Sequence, residues 1–180
     1  GEFHRRVGMA KSDSFFTRAT QNIEDSSPDY FEGEIDLGAY VDALGKSVLR
    51  IHNIAVAFTD SDGRSPDVKA SATTSAQFQL TTQSNADIVL GTNKSVIAQG
   101  QINAYRLVSG SAGVASAVSH DLDNLPQLWT NGYLVAVDSI YLGGSALDQW
   151  NEDVYVTVTM ECTVESMSQA SAMALALSQQ

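Results

Sequence analysis

The chain of 180 residues holds one cysteine, three prolines and ten basic residues. Each shortage excludes something. A lone thiol, Cys162, rules out an intrachain disulfide, so burial and hydrogen bonding must hold the fold. No run of about 18 apolar residues occurs, so no transmembrane segment is expected. Ten basic residues against 21 acidic ones give a formal net charge of −11. A surface of that sign repels phosphate and anionic headgroups, so no direct nucleic-acid binding is expected. Charged residues of either sign make up only 17%, against 43% hydrophobic, and Ser, Thr, Ala, Asn and Gln fill the gap.

What is present reads from the N-terminus as follows. GEFHRRVG, residues 1–8, precedes Met9 and has the look of a remnant of recombinant expression. Setting it aside leaves 8 basic and 20 acidic residues and a net charge of −12. MAKSDSFFTRATQ lacks an apolar segment, so no secretory leader is expected after Met9. Residues 9–29 are polar except for Phe15 and Phe16 and close on the turn-forming SSPD. They read as an extended or partly disordered N-terminal arm. The two phenylalanines either pack on their own domain or reach a neighbouring subunit, and contact with a subunit is the expectation carried forward.

From Tyr30 to Glu165, residues 30–165, strand-like segments dominate. In KSVLRIHNIAVAFTD, Leu49 and Ile51 share one parity while Ile54, Val56 and Phe58 share the other. A bulge near His52 and Asn53 would bring both sets to one face. AQFQLTTQ alternates with Phe78 and Leu80 on one side, and ADIVLGT, SVIAQG and QINAYRLVSG follow as short segments. The last strand is the clearest: Val154, Val156, Val158, Met160, Cys162 and Val164 fall on one face, with Tyr155, Thr157, Thr159, Glu161 and Thr163 on the other. About eight short strands with turns between them predict an all-β fold, an antiparallel β-sandwich of jelly-roll type. The core should contain Ile54, Val56, Phe58, Phe78, Leu80, Val154, Val156, Val158, Met160 and Cys162.

No pattern of catalytic residues emerges, and neither an enzyme nor a cofactor is expected. In TDSDGRSPDV, Asp60, Asp62 and Gly63 resemble a calcium loop, but Arg64 stands where a third oxygen ligand belongs and Ser71 where the bidentate Glu should be. Asp60 and Asp62 are weak metal candidates, and a tight turn between strands is the simpler reading. His52 and His120 have no partner at metal-ligand spacing, although Asp121 and Asp123 could join His120 around a cation. Cys162 sits on the apolar parity of its strand, which points to burial rather than nucleophilic use. LGG at Leu142–Gly144 reads as a turn. Trp129, Tyr133 and Trp150 could stack on sugar rings if exposed together, and otherwise pad the ends of the sandwich.

The chain closes on residues 166–180, SMSQASAMALALSQQ, rich in alanine and free of Lys, Arg, Asp and Glu. Ser166 and Gln169 have capping-box spacing, and Met167, Ala170, Met173, Ala174 and Leu177 form a stripe at helical period, widened by Leu175. A helix of about three and a half turns is marginal alone, so it must dock its stripe on its own sandwich or on a neighbour. The absence of charge on its other face favours the neighbour, which makes Met167, Met173 and Leu177 subunit-contact candidates. Taken together, the strand series, the arm and the appended helix resemble single-jelly-roll viral capsid proteins. The resemblance implies a self-assembling structural protein of the virion, whose partners are copies of itself and other virion proteins. The arm departs from the Arg-rich arms of many small-virus coat proteins, in keeping with the expected lack of genome contact. The alternative is a non-catalytic carbohydrate-binding or adhesin-like module using Trp129, Tyr133 and Trp150.

Overall fold

The computed structural model describes residues 11–25, 29–42, 46–108, 114–121 and 130–180. Nine strands and one helix fall in these segments. The strands are β1 (Phe15–Glu24), β2 (Phe31–Asp36), β3 (Ser47–Thr59), β4 (Ala72–Thr81), β5 (Val96–Val108), β6 (Val114–Asp121), β7 (Tyr133–Val135), β8 (Ser139–Ala146) and β9 (Val154–Ser166), and the helix is α1 (Gln169–Ser178). They form a four-stranded sheet ordered β1-β9-β3-β7 and a five-stranded sheet ordered β2-β8-β4-β5-β6, antiparallel throughout. The pairs β1·β9, β2·β8, β3·β7 and β4·β5 nest inside one another. The chain therefore runs as one long folded-back hairpin wrapped into two sheets, which is the jelly roll. β6 is an addition at the outer edge of the five-stranded sheet.

Alternation builds the core. Val154, Val156, Val158, Met160 and Cys162 of β9 are fully buried, and Ile54 and Phe58 of β3 face the same interior. Val56 is half-buried against that cluster. The two β3 parities meet on one face because the register slips between Ile51 and Asn53, a bulge centred on His52. Phe58 from one sheet meets Phe78 from the other edge-to-face, with ring centroids 6.0 Å apart, so an aromatic pair ties the two layers.

Four segments differ from the sequence reading. Residues 15–24 of the expected arm lie in the sheet as β1, paired along their length with β9. A polar outer row (Arg18, Thr20) masked the inner row of Phe15, Ala19 and Ile23, of which Ile23 is fully buried. Residues 86–92 form no strand. Their backbone is held instead by glutamine side chains: Gln79 Oε1 accepts from Val89 N at 2.9 Å, and Gln99 Nε2 donates to Val89 O. Gly100 does not interrupt β5, which runs through both predicted segments. Gly143 and Gly144 lie inside β8 rather than in a turn, because a Cβ on Gly144 would meet Gln77 O at 2.5 Å and Ile23 at 2.8 Å. Only hydrogen there lets β1 close over β8.

Val158 is fully buried at the middle of β9, opposite Val56 of β3 and Ala19 of β1. Val158→Asp would set an unpaired carboxylate there, and a loss of more than about 4 kcal/mol is expected. Loss of a cooperative unfolding transition by circular dichroism checks this; an unchanged melting temperature would contradict the burial.

Candidate functional site

The end of the chain is the most informative surface. α1 begins at Ser168, whose hydroxyl accepts from Ser171 N at 3.1 Å. The cap is therefore two residues beyond the Ser166 expected from the capping-box pattern. The shift follows from β9, which continues to Ser166 and pairs it with Ser47 of β3.

That shift goes with a helix that docks on a different stripe. Ala172 is buried against Val48 and Ala136, with Met167, Leu175 and Ala176 packed around them. The end of α1 is pinned by Gln179, 2% exposed, whose carboxamide accepts from Ala136 N at 2.9 Å and donates to Leu134 O at 2.7 Å. Its backbone carbonyl accepts the Thr82 hydroxyl at 2.7 Å. The helix thus rides on its own domain through Ala172, Leu175, Ala176 and Gln179. Ala170, Met173, Ala174 and Leu177 point the other way, with Met173 48% and Leu177 69% exposed. Of the subunit-contact candidates, Met167 is partly buried in its own domain, while Met173 and Leu177 remain free.

The phenylalanine pair divides in the same manner. Phe15 turns inward and stacks on Tyr40, ring centroids 4.6 Å apart. Phe16 turns outward, 57% exposed, with the Arg18 guanidinium 5.8 Å from its ring centre. Strand alternation requires this split.

A polar network lies beside the helix, on the outer side of β3 and β9. Arg50 grips Glu165 with two hydrogen bonds, Nε to Oε2 at 2.5 Å and Nη2 to Oε1 at 3.0 Å, and gives Nη1 to Asn131 O at 2.6 Å. Thr163 donates to Glu165 at 3.2 Å and bonds the His52 ring at 2.9 Å. Hydrogen bonds from Arg50 hold the Glu165 carboxyl below its ordinary range; burial opposes this, and the guanidinium charge and Thr163 assist. Between this network and the helix end runs a cleft of about 660 Å³ lined by Lys94, Tyr133, Leu134, Leu175 and Ser178.

The other candidates are not brought together. Asp60 spends one carboxylate oxygen on its own turn, accepting from Asp62 N and Arg64 N, both at 2.9 Å, and Gly63 completes the turn at φ +82°. Among the described residues no group of three His, Cys, Asp or Glu side chains converges. Trp129 and Asp123 lie outside the described residues, as do the side chains of His120 and Asp121. Trp150 is fully buried, its indole N–H donated to Ser75 O at 3.2 Å, so it offers no face to a sugar. Tyr133 is half-buried beside Gln179, and its hydroxyl is pushed above the ordinary phenol range by burial. Burial likewise pushes the Cys162 thiol up to about 12, which keeps it protonated and unreactive.

Gln179 escaped the sequence reading, and no local pattern marks it. One glutamine in a terminal SQQ looks like any other until β7 lies beneath it.

No protein-family model and no curated protein matches the chain. Among solved structures it is similar to cocksfoot mottle virus, at TM-score 0.39 and 7% identity over 91% of this chain and 99% of that one. It is also similar to VP1 of Merkel cell polyomavirus as an unassembled pentamer, at 0.41 and 6% over 88% and 98%. A third, Desmodium yellow mottle tymovirus, gives 0.35 and 13% over 92% and 87%. At such TM-scores the likeness carries no weight for a role, and the jelly-roll assignment stands on the strand order.

Two outcomes test the helix dock and the network. Gln179→Ala leaves Ala136 N and Leu134 O without partners and should cost about 1–3 kcal/mol, measured by urea unfolding. Arg50→Met leaves Glu165 buried and unpaired, and a loss of about 3 kcal/mol is expected at pH 7. The folded carboxyl titrates below its unfolded value of about 4.3, so the pair stabilises above that pH and its contribution fades as pH falls through the folded value. The penalty of Arg50→Met should therefore shrink as the pH is lowered below about 4, read from unfolding midpoints at the two pH values.

Proposed function

We propose that the chain is a self-assembling structural protein, a capsid protein whose copies build a virion shell. The observation that carries this is the outer face of α1. The helix is apolar on both sides, and helices of that kind are buried on both sides. One side is buried by its own domain and the other, Ala170, Met173, Ala174 and Leu177, has no cover among the described residues. Residues 166–180 carry no charged side chain to keep that face in water. A neighbouring copy is the occupant the chain best provides for, because every copy brings the same apolar ridge on a rigid jelly roll.

Further support is chemical. A net charge of −11 suits a shell whose genome is neutralised by something other than this chain. The sugar-binding alternative loses Trp150 to the core.

Met173→Lys combined with Leu177→Lys tests the reading. Both positions are exposed, so the melting temperature should be unchanged, while the assembled mass by light scattering should collapse to small oligomers. Assembly equal to that of the wild type, or a wild type that stays monomeric as its concentration is raised, would overturn it.

A further inference from the structure

The four-stranded sheet has two edges, and the chain treats them differently. At β7 it closes its own edge. The Gln179 carboxamide takes Ala136 N and Leu134 O, the groups a further strand would have used. At β1 such cover is confined to the far end, where Gln21 Nε2 donates to Asn22 O at 3.0 Å and Asn22 Oδ1 accepts from Glu24 N at 2.8 Å; from Phe15 to Thr20 none is present among the described residues, and the sheet order ends at β1. β1 spans ten residues, about 33 Å of strand. Every second residue of an edge strand turns its N–H and C=O away from its partner, a template for another strand. Natural edges are usually blunted by lysine, proline or bulges. FFTRATQNIE has neither lysine nor proline, and its bulge, where Glu24 takes φ +59°, sits at the far end. Arg18 is the only charge in its middle. The strand is not a loose arm either: Phe15 stacked on Tyr40 and buried Ile23 fix it to the core, so the open edge is presented rigidly.

We propose that β1 pairs antiparallel with β1 of a second copy about a two-fold axis, joining two four-stranded sheets into one of eight. A second copy is the fitting occupant because an antiparallel edge is self-complementary: each copy offers the other the same unpaired row, reversed. Arg18 excludes one register and, with Phe16, favours another, in which residues 15–19 of each copy lie across from one another. Pairings that set Arg18 against Arg18 are repulsive. With Thr17 facing Thr17 on the axis, each Arg18 instead lies across from the other copy's Phe16, on the same outer face. Phe16 is 57% exposed and already holds its own Arg18 at 5.8 Å, so its ring face suits a guanidinium.

This rests on the reading of the chain as self-associating, yet uses a surface other than α1, and the two can fail separately. The test is made in the Met173→Lys, Leu177→Lys background. That protein should still form a dimer by sedimentation equilibrium; a monomer there overturns the edge contact and leaves the helix contact untouched. Ala19→Pro and Thr20→Pro are then compared in the same background. Successive N–H groups of a strand point to opposite sides, so one proline removes a bond to β9 and the other removes only an edge donor. The variant with the higher melting temperature of the two should be monomeric. Phe16→Lys, at an exposed position, sets like charges across the axis and should raise the dimer dissociation constant at least about tenfold. An unchanged dimer in either the well-folded proline variant or Phe16→Lys overturns the proposal.

Discussion

β9 is the strand on which everything else rests. It lies between β1 and β3, and its inner row of Val154, Val156, Val158, Met160 and Cys162 is wholly buried. A strand with neighbours on both sides has all its backbone groups paired, and a fully buried apolar row adds roughly 1.5–3 kcal/mol per large side chain. Its place also fixes the chain's two ends. β1 must come to it from one side, and α1 leaves it directly at the other end. The outermost pair of the nested hairpin, β1·β9, thus brings residues 137 positions apart into register at Thr20 and Thr157, which also share a hydroxyl hydrogen bond of 2.9 Å.

The price of nesting is paid at the margins. Wrapping one hairpin into two sheets leaves four edges, and short-range chemistry is what dresses them. At β7 a glutamine, Gln179, stands in for a strand, and Gln79 and Gln99 on the inner strands β4 and β5 hold the backbone of residues 86–92 in the same manner. A carboxamide carries the same donor and acceptor as a peptide unit, so it can satisfy a ladder without being part of one. This explains how a chain poor in charge can still satisfy backbone groups that no strand reaches. Among the described residues the exception is Thr74, whose buried hydroxyl finds no partner.

The surfaces proposed for association share one origin. Both the helix face and the β1 edge are the unused halves of elements whose other halves are needed at home. Alternation sends Phe15 into the core and Phe16 out; helical period sends Ala172 in and Met173 out. Neither outward side chain was placed by the core, which leaves each free to serve a contact.

Much was legible in the residues alone. Period-two alternation fixed the inner face of β9 from Val154 to Cys162, the bulge at His52 and the all-β class, because burial of one sheet face is a local demand written into consecutive residues. Two things were not legible. Residues 15–24 were a strand hidden by polar neighbours, since an edge strand alternates against water on one side and its apolar row is only Phe15, Ala19 and Ile23. The docking side of α1 was ambiguous for the opposite reason: the helix is apolar all round, so the stripe through Met173 and Leu177 and the stripe through Ala172, Leu175 and Ala176 are equally good at period 3.6. The choice between them came from outside the helix. β9 runs on to Ser166, the cap falls at Ser168, and the pocket over β7 accepts Gln179, so the rotation of α1 about its axis was decided by tertiary contacts more than forty residues away in sequence.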